Sequence, residues 1–394
     1  MYKKDFPIFQ KEPLVYLDSA ASAQKPDCVL KALYDFYTTD YANVHRGVCD
    51  LAIRATDDFE KARQKVAGFF NTSEKNIVWT KGATEAINLV ANGFSLLLNK
   101  NDEILISIAE HHANFVPWQL CAKHSGATLK FFNVLPDGTL DFDDFQKKLS
   151  AHTKVVALTH MSNVLGVLNP AEKFIKAAHQ QGAMVLLDVA QSSAHTPIDV
   201  QKLGCDFMAL SGHKLYGPTG IGVLYGTTEA LEKLPVYQGG GDMIKTVSTE
   251  ETTFAEAPAK FEAGTPPFAQ TVGFAAAISY VQKIGWKKIQ QHESELTKIL
   301  IEELKKIPRI RFLGNPDLKE GLVCFNIDGI HPADLAFGLS KQNVCVRIGH
   351  HCAMPIHNFF KTTASLRVSL GLYNDSSDIE AFIKALHKTL DLLA

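Results

Sequence analysis

Two short apolar runs, each ended by a charged side chain, place the strongest constraint on how this 394-residue chain folds. One covers residues 183–188 and ends in Asp188, and the other covers residues 206–214 and ends in Lys214. Each has the length of a strand and lies close behind a glycine, which predicts two fully buried parallel strands. A charged side chain at the carboxyl end of such a strand lies in the crevice where open α/β sheets bind ligands.

The position of Lys214 in that crevice favours covalent chemistry. A lysine that is held on a rigid element and loses its proton easily is suited to forming a Schiff base. Asp188 supplies the second requirement of a pyridoxal phosphate (PLP) site, since a carboxylate keeps the pyridine nitrogen protonated and the ring can then accept electrons. Many α/β proteins also end strands with Asp or Lys, so this pair alone leaves an ordinary structural role open.

Alternating strand and helix patterns extend the prediction over the first two thirds of the chain. This β-α-β alternation predicts a mostly parallel sheet covered by helices on both faces. Residues 222–226 follow Lys214 after only a Gly/Pro turn, which is too short for a crossover helix and predicts an antiparallel strand. The other predicted strands cover residues 77–80, 104–108 and 155–159, and helices cover residues 55–70, 115–124 and 170–181.

The last third of the chain predicts a smaller α+β unit. Its predicted helices cover residues 269–284, 287–306, 332–341 and 379–393, and its strands cover residues 322–327, 344–348 and 366–370. We therefore expect an arm at residues 1–25 that joins the small domain, a large PLP-binding domain at 26–286 and a small C-terminal domain at 287–394. The Gly-rich passage 238–266 is long and irregular, which predicts a functional or interfacial segment.

Several polar residues directly follow the predicted strands. His111 and Asn163 fall in the crevice zone in this way. A glycine turn opens the helix that contains Thr84, and the free N–H groups and dipole of a helix start bind anions. Thr84 fits equally well as an ordinary N-cap. His111 and His112 have no further ligand at a usual metal spacing, so we predict no metal site.

Among seven cysteines, Cys352 is the candidate nucleophile. It follows His350 and His351 in a polar loop, and a neighbouring imidazolium favours the thiolate form. Arg367 lies just beyond this loop, and its planar guanidinium can hold a carboxylate through two hydrogen bonds or form a surface ion pair. Three other cysteines lie within apolar strand patterns, which predict inert core thiols at Cys205, Cys324 and Cys345.

Six motifs occur in one order along nearly the whole chain. Together they resemble the cysteine desulfurases of the class V aminotransferase family, in the sulfur-mobilisation (SufS-type, group II) branch, which has PLP-dependent fold type I. The short cysteine loop matches this branch, because the other group has a longer Ser/Gly-rich loop. The motifs are Thr80-Lys-Gly-Ala-Thr-Glu85, Glu110-His-His-Ala-Asn114, Asp188-Val-Ala-Gln191, Ser211-Gly-His-Lys214, Phe261-Glu-Ala-Gly-Thr-Pro266 and Arg347-Ile-Gly-His-His-Cys-Ala-Met-Pro355.

The resemblance implies conversion of L-cysteine to L-alanine, with sulfur held as a persulfide on Cys352 and passed on towards iron–sulfur cluster assembly. It implies a homodimer and an acceptor protein of the SufE or SufU kind. It also implies a role for each site residue. At the PLP ring, Lys214 is the Schiff-base lysine and base, Asp188 pairs with the pyridine nitrogen, Gln191 bonds the phenolic oxygen and His111 stacks on the ring. The phosphate is held by Thr84, Ser211 and His213 together with Thr265 of a second subunit, and the substrate carboxylate is held by Asn163, Arg367 and Arg347.

Bulk properties exclude several other classes. The formal net charge is −2 without a basic block, which argues against nucleic acid or an anionic membrane surface as a partner. No apolar stretch is long enough to predict a membrane span, and the scattered cysteines favour a reducing cytoplasm. The alternatives that stay open are a selenocysteine lyase and another PLP-dependent lyase or aminotransferase. A nucleotide-binding scaffold is disfavoured because residues 217–220 match neither phosphate-loop spacing.

Overall fold

The computed structural model describes residues 2–393. Its strands are β1 Val15–Tyr16, β2 Ile77–Thr80, β3 Glu103–Ser107, β4 Thr128–Phe132, β5 Thr153–Thr159, β6 Met184–Asp188, β7 Phe207–Ser211, β8 Gly222–Gly226, β9 Ile244–Val247, β10 Thr252–Phe254, β11 Ile310–Phe312, β12 Leu322–Ile327, β13 Val344–Cys345, β14 Arg347–Gly349 and β15 Ser365–Ser369. Its α-helices are α1 Asp27–Asp35, α2 Asp50–Phe69, α3 Ala83–Leu97, α4 Val116–Ser125, α5 Phe142–Lys148, α6 Ala171–Gln180, α7 Val200–Leu203, α8 Thr228–Lys233, α9 Phe268–Ile284, α10 Trp286–Lys305, α11 Pro332–Ser340, α12 Met354–Phe359 and α13 Ser376–Leu393.

The larger sheet has seven strands in the order β2-β8-β7-β6-β5-β3-β4. The five strands from β7 to β4 are parallel, and β8 runs antiparallel to both β7 and β2. This confirms the predicted mostly parallel sheet and the predicted reversal at residues 222–226. Asp188 pairs in register with Thr159 on one side and Ala209 on the other, so the carboxyl ends of β5, β6 and β7 open at the same edge.

Helices cover both faces of this sheet, which explains why its central strands are apolar along most of their length. Val185 and Leu187 of β6 face a core formed with residues of α2, α6 and α9. The residue between them, Leu186, faces a second core formed with α3 and α4. Because successive side chains point to opposite faces of a strand, a strand covered on both sides has no solvent-facing position.

The smaller sheet is antiparallel, in the order β11-β12-β15-β14. It packs with α10, α11 and α13 around a third core, which Leu17 of the N-terminal arm also enters. The single strand predicted at residues 344–348 is two short strands, because β13 pairs with β1 of the arm whereas β14 pairs with β15. β14 and β15 therefore flank the loop that carries Cys352.

Other expectations need correction. The passage at residues 238–266 is not irregular throughout, since β9 and β10 form an antiparallel hairpin within it. Strand β4 and helix α5 were not predicted. Cys205 and Cys324 are buried as expected, but Cys345 is only half-buried because it lies on short β13. None of the helices within residues 2–393 has an apolar stretch long enough to cross a membrane.

Candidate active site

A cavity of about 340 Å³ lies at the carboxyl edge of the larger sheet and is closed on one side by the Cys352 loop. The larger sheet, the smaller sheet and residues 20–22 of the arm all contribute to its wall. All but one of the predicted site residues line it: Thr84, His111, Asn163, Asp188, Gln191, Ser211, His213, Lys214, Arg347, Cys352 and Arg367. The exception is Thr265.

Asp188 and Lys214 reach this cavity from neighbouring strands. Asp188 ends β6, is buried, and accepts a hydrogen bond from the Ala190 N–H at 2.9 Å. Burial raises the pKa of its carboxyl group, an effect that the Ala190 N–H and Lys214 oppose. Lys214 does not end the strand, as was predicted: β7 ends at Ser211, and Lys214 ends the 3-10 turn that follows it. Burial lowers the pKa of its amine to about 8, so a useful fraction is neutral near physiological pH.

His111 follows β3 and begins a short turn at the cavity wall. Its Nδ1 accepts a hydrogen bond from the Ala113 N–H at 3.0 Å, so the neutral ring carries its proton on Nε2. Burial lowers its pKa to about 3, and Lys214 adds to the effect. The ring is therefore neutral at pH 7. Within residues 2–393, no three His, Cys, Asp or Glu side chains group as a metal site would require.

Glu110, beside His111, is fully buried and was not singled out from sequence. It accepts hydrogen bonds from the Ser107 hydroxyl, from the Asn114 side chain at 2.6 Å and from the Thr159 N–H at 2.9 Å. Burial raises its pKa to about 8. These bonds tie the His111 turn to the end of β5, which fixes where the imidazole stands.

The first turn of α3 contributes Thr84 to the cavity. The N-cap position belongs to Gly82, without a side-chain hydrogen bond, so the alternative in which Thr84 is the N-cap is wrong. The Ser211 hydroxyl accepts a hydrogen bond from the Ala83 N–H at 2.8 Å, which links the helix start to β7. Gly222 permits this close approach, because a side chain there would collide with the backbone of Gly82.

Arg347 and Arg367 are both held by one carboxylate that sequence reasoning missed. Asp18 accepts hydrogen bonds from Nε and Nη2 of Arg347 at 2.8–3.0 Å and from Nη2 of Arg367 at 3.2 Å. The Arg367 Nη1 group also donates to the Asn163 carbonyl oxygen at 3.1 Å, whereas its buried Nε–H has no partner in the described part of the chain. Asp18 belongs to the arm, so three distant segments meet here.

Cys352 is exposed at the mouth of the cavity. Its backbone carbonyl accepts a hydrogen bond from the His112 N–H at 2.6 Å, and the carbonyl of His351 accepts one from the Asn163 side chain at 2.6 Å. Burial lowers the pKa of the His351 ring to about 2, so this ring is neutral at pH 7 and supplies no positive charge to the thiol. A third bond runs from the Met354 N–H to Nε2 of His112 at 3.2 Å, so the loop is fastened to segments that follow β3 and β5 while the thiol remains accessible.

Thr265 lies in a different, smaller cavity of about 120 Å³ that also contains Trp79 and Tyr237. Glu262 holds the segment before Thr265. Its carboxylate pairs with the Arg63 guanidinium at 2.7 and 2.9 Å and accepts a hydrogen bond from the backbone N–H of Trp79 at 2.7 Å. Within one chain, Thr265 therefore does not join the other predicted phosphate residues.

Comparison with known proteins gives consistent results over nearly the whole chain. Residues 15–382 match the aminotransferase class-V family model. A probable cysteine desulfurase of Halalkalibacterium halodurans is 47% identical over 393 residues, covering 98% of this chain and 97% of the relative. A cysteine desulfurase of an Enterobacter species is 45% identical over 99% of this chain and 98% of the relative.

A solved structure agrees with these relatives. The cysteine desulfurase CsdA of Escherichia coli, in its S-sulfonic acid form, superposes with a TM-score of 0.94 at 39% identity, covering 99% of this chain and 98% of that chain. Sequence, fold and coverage point to the same assignment. The chain therefore belongs to the aminotransferase class-V family and, within it, to the cysteine desulfurases.

Proposed function

We propose that this enzyme binds PLP and removes sulfur from L-cysteine, leaving L-alanine and a persulfide on Cys352. The observation that carries the proposal is a single cavity that brings together the Lys214 amine, the Asp188 carboxylate and the Cys352 thiol. The direct test is whether the purified protein releases L-alanine from L-cysteine while Cys352 gains one sulfur atom.

The cavity's side chains fit PLP in their chemistry. Lys214 would hold the cofactor covalently, and Asp188, with one oxygen free of the Ala190 bond, would pair with its ring nitrogen. Gln191 would donate to the phenolic oxygen, although its amide presently donates to the Ala20 carbonyl oxygen at 2.8 Å. The phosphate would lie at the start of α3, beside Thr84, Ser211 and His213, where helix N–H groups favour an anion.

When bound, PLP supplies an electron sink that stabilises negative charge at the substrate Cα. The residues of this chain supply the rest. Arg367 would hold the substrate carboxylate, and its unpartnered Nε–H is available for that hydrogen bond. Lys214, with its lowered pKa, would take the Cα proton. His111 is neutral, and its Nε2–H group can donate a hydrogen bond.

Cys352 would complete the reaction as the sulfur acceptor. Its thiolate attacks the substrate sulfur, an S–S bond forms, and the C–S bond of the substrate breaks with its electron pair left on carbon. That carbon takes up a proton, so L-cysteine and the thiol become L-alanine and a persulfide with all atoms balanced. Dividing the transfer into two steps through an enzyme nucleophile is the usual advantage of covalent catalysis.

Asp18→Asn is expected to raise KM for L-cysteine about tenfold while changing kcat less. The substitution removes the charge that orients Arg367, so substrate binding weakens by about 1.4 kcal/mol. Steady-state kinetics measure this split. Asp378→Asn is the matched control, because Asp378 is also a buried carboxylate paired with the arm, through Lys3 at 2.6 Å, but lies outside the cavity. A lower KM in Asp18→Asn would mean that Asp18 competes with substrate instead.

We also propose a homodimer in which Thr265 of one subunit completes the phosphate site of the other. Its separation from the cavity within one chain supports this arrangement. Sedimentation should give twice the mass of one chain. Thr265→Ala is expected to remain dimeric and to bind PLP about tenfold more weakly, since a hydrogen bond to a charged group is lost. A fully active monomer, or unchanged PLP affinity in the variant, would contradict the shared site.

The predicted domain division and cellular context stand as further proposals. The proposed division has an arm at 1–25 joined to a small domain at 287–394, and a large domain at 26–286. Leu17 of the arm packs in the core of the smaller sheet, which supports the division, whereas Phe6 and Ala23 of the arm pack in the core of the larger sheet. Met1 and Ala394 lie outside the described residues. An exposed Cys352 suits delivery of sulfur to an acceptor protein of the SufE or SufU kind for iron–sulfur cluster assembly. Free thiols suit a reducing cytoplasm.

A further inference from the structure

The turn that carries Cys352 has an unfavourable backbone conformation. His351 and Cys352 have φ angles of 50° and 55°, so two successive side-chain-bearing residues adopt the left-handed region. Residues other than glycine rarely adopt this region, and a run of two persists only when the surroundings impose it. The bonds from Asn163 and His112 hold the two carbonyl groups of the turn. The His351 side chain is held by a different contact, with the Ser365 hydroxyl.

A chain of hydrogen bonds runs from the His351 ring into the small domain. The His351 Nε2 atom lies 3.0 Å from the Ser365 hydroxyl oxygen on β15, and that oxygen lies 3.0 Å from Nε2 of His357 on α12. The His357 Nδ1 atom lies 2.9 Å from the Ala353 carbonyl oxygen. All three side chains are buried, with exposed fractions of 7% for His351, 1% for His357 and 0% for Ser365.

The Ala353 carbonyl oxygen, at one end of this series of hydrogen bonds, determines the position of every proton in the series. A carbonyl oxygen only accepts, so Nδ1 of His357 carries a proton, and Nε2 of that neutral ring must accept the Ser365 hydroxyl proton. The Ser365 oxygen can then only accept from His351, whose Nε2 carries the proton. Burial lowers the pKa of His357, and it lowers that of His351 to about 2, so both rings are neutral.

The outcome is that Nδ1 of His351 is an acceptor. This atom is buried and has no hydrogen-bond partner among the described residues, and His351 lines the cavity beside Cys352. The charged groups near the ring are Arg367 and Arg347, both paired with Asp18, and the remaining neighbour is the neutral His357. An unprotonated imidazole nitrogen without a partner can accept a hydrogen bond from the S–H group of a thiol.

We propose that Ser365 and His357 are positioning residues that hold His351 in the Nε2–H tautomer and so leave its Nδ1 as a hydrogen-bond acceptor for the reacting thiols. Neither Ser365 nor His357 lines the cavity, so both act through His351. The proposal rests on the proposed role of Cys352 as sulfur acceptor. It adds that residues of the small domain determine which ring nitrogen of His351 carries the proton beside that thiol.

Ser365→Ala is the first test, in the holoenzyme at pH 7. Nitrogen-15 NMR of labelled histidine, with the His351 signals assigned through His351→Gln, should show one tautomer in the wild type and a mixture in the variant. Turnover of L-cysteine should fall about tenfold in kcat with KM unchanged, because one hydrogen bond to the reacting groups is misplaced. A merely structural role for Ser365 would not change the tautomer.

His357→Asn is the second test, which also covers a Ser365→Ala protein that fails to fold. The asparagine amide can still donate to the Ala353 carbonyl, but its shorter side chain places no acceptor at the position of the His357 Nε2 atom. The same tautomer mixture and the same fall in kcat are therefore expected. Thr389→Val is the control, because it removes another buried hydroxyl of the small domain, which is bonded to Ala385 and Gln342 and does not line the cavity.

An unchanged His351 tautomer in both variants overturns the proposal, as does a tautomer shift without loss of kcat. A loss of kcat that only follows thermal stability, as measured against Thr389→Val, overturns it too. Failure of the proposed function is seen separately, because Cys352→Ala would then still produce L-alanine at the wild-type rate whatever the tautomer of His351.

Discussion

Lys214→Ala is expected to abolish the visible absorbance of bound PLP and to reduce L-alanine formation by about 10⁴-fold or more. The side chain is proposed both to hold the cofactor and to remove the Cα proton, so one substitution removes two functions. Its lowered pKa supports the second function, because a lysine of ordinary pKa would be almost fully protonated and could not act as a base near pH 7. Absorbance spectra and an L-alanine assay measure the two effects.

Lys319→Met is the matched control for Lys214→Ala. Burial also lowers the pKa of Lys319 to about 8, but this amine donates to the carbonyl oxygens of Leu165 and Leu313 at 2.8 and 2.6 Å and does not line the cavity. We expect this variant to keep the visible absorbance. Retention of the absorbance band by Lys214→Ala, or borohydride reduction that attaches PLP to another lysine, would refute the assignment of Lys214.

Cys352→Ala is expected to lose L-alanine formation from L-cysteine by about 10³-fold or more while the PLP absorbance is unchanged. Lys214 remains in place, so the variant should still exchange the substrate Cα proton with deuterium from the solvent, which proton NMR detects. Only the attack on sulfur is lost, because no other cysteine lines the cavity. Mass spectrometry of the wild type after one turnover should place the added sulfur on the peptide that contains Cys352.

Cys28→Ala and Cys49→Ala are the controls for this result. Both thiols are exposed, as Cys352 is, but they lie outside the cavity, so both variants should form L-alanine at the wild-type rate. Added sulfur on Cys49 or Cys345 would disprove the role of Cys352. Undiminished L-alanine formation by Cys352→Ala would do the same, and a plain PLP-dependent lyase would then be the better description.

Local sequence patterns determined the large-scale fold and much of the cavity. The strands that lead to Asp188 and Lys214 were predictable because a strand buried on both faces is apolar along most of its length, and parallel order then places their ends at one edge. The antiparallel β8 was predictable because a short Gly/Pro turn permits no crossover. The motif resemblance joined His111, Arg367 and Cys352, which lie far apart along the chain, into one predicted site.

Only the tertiary structure decided which groups pair with these residues. Asp18 is more than 300 positions from both arginines that it holds, and the carbonyl that sets the His351 tautomer acts through His357 and Ser365 on two different elements. β13 and β14 separate because the arm supplies a strand partner to one of them. Sequence patterns report which face of an element is buried, whereas the identity of a hydrogen-bond partner depends on how distant elements pack, and it is this packing that fixes charge and proton position beside Cys352.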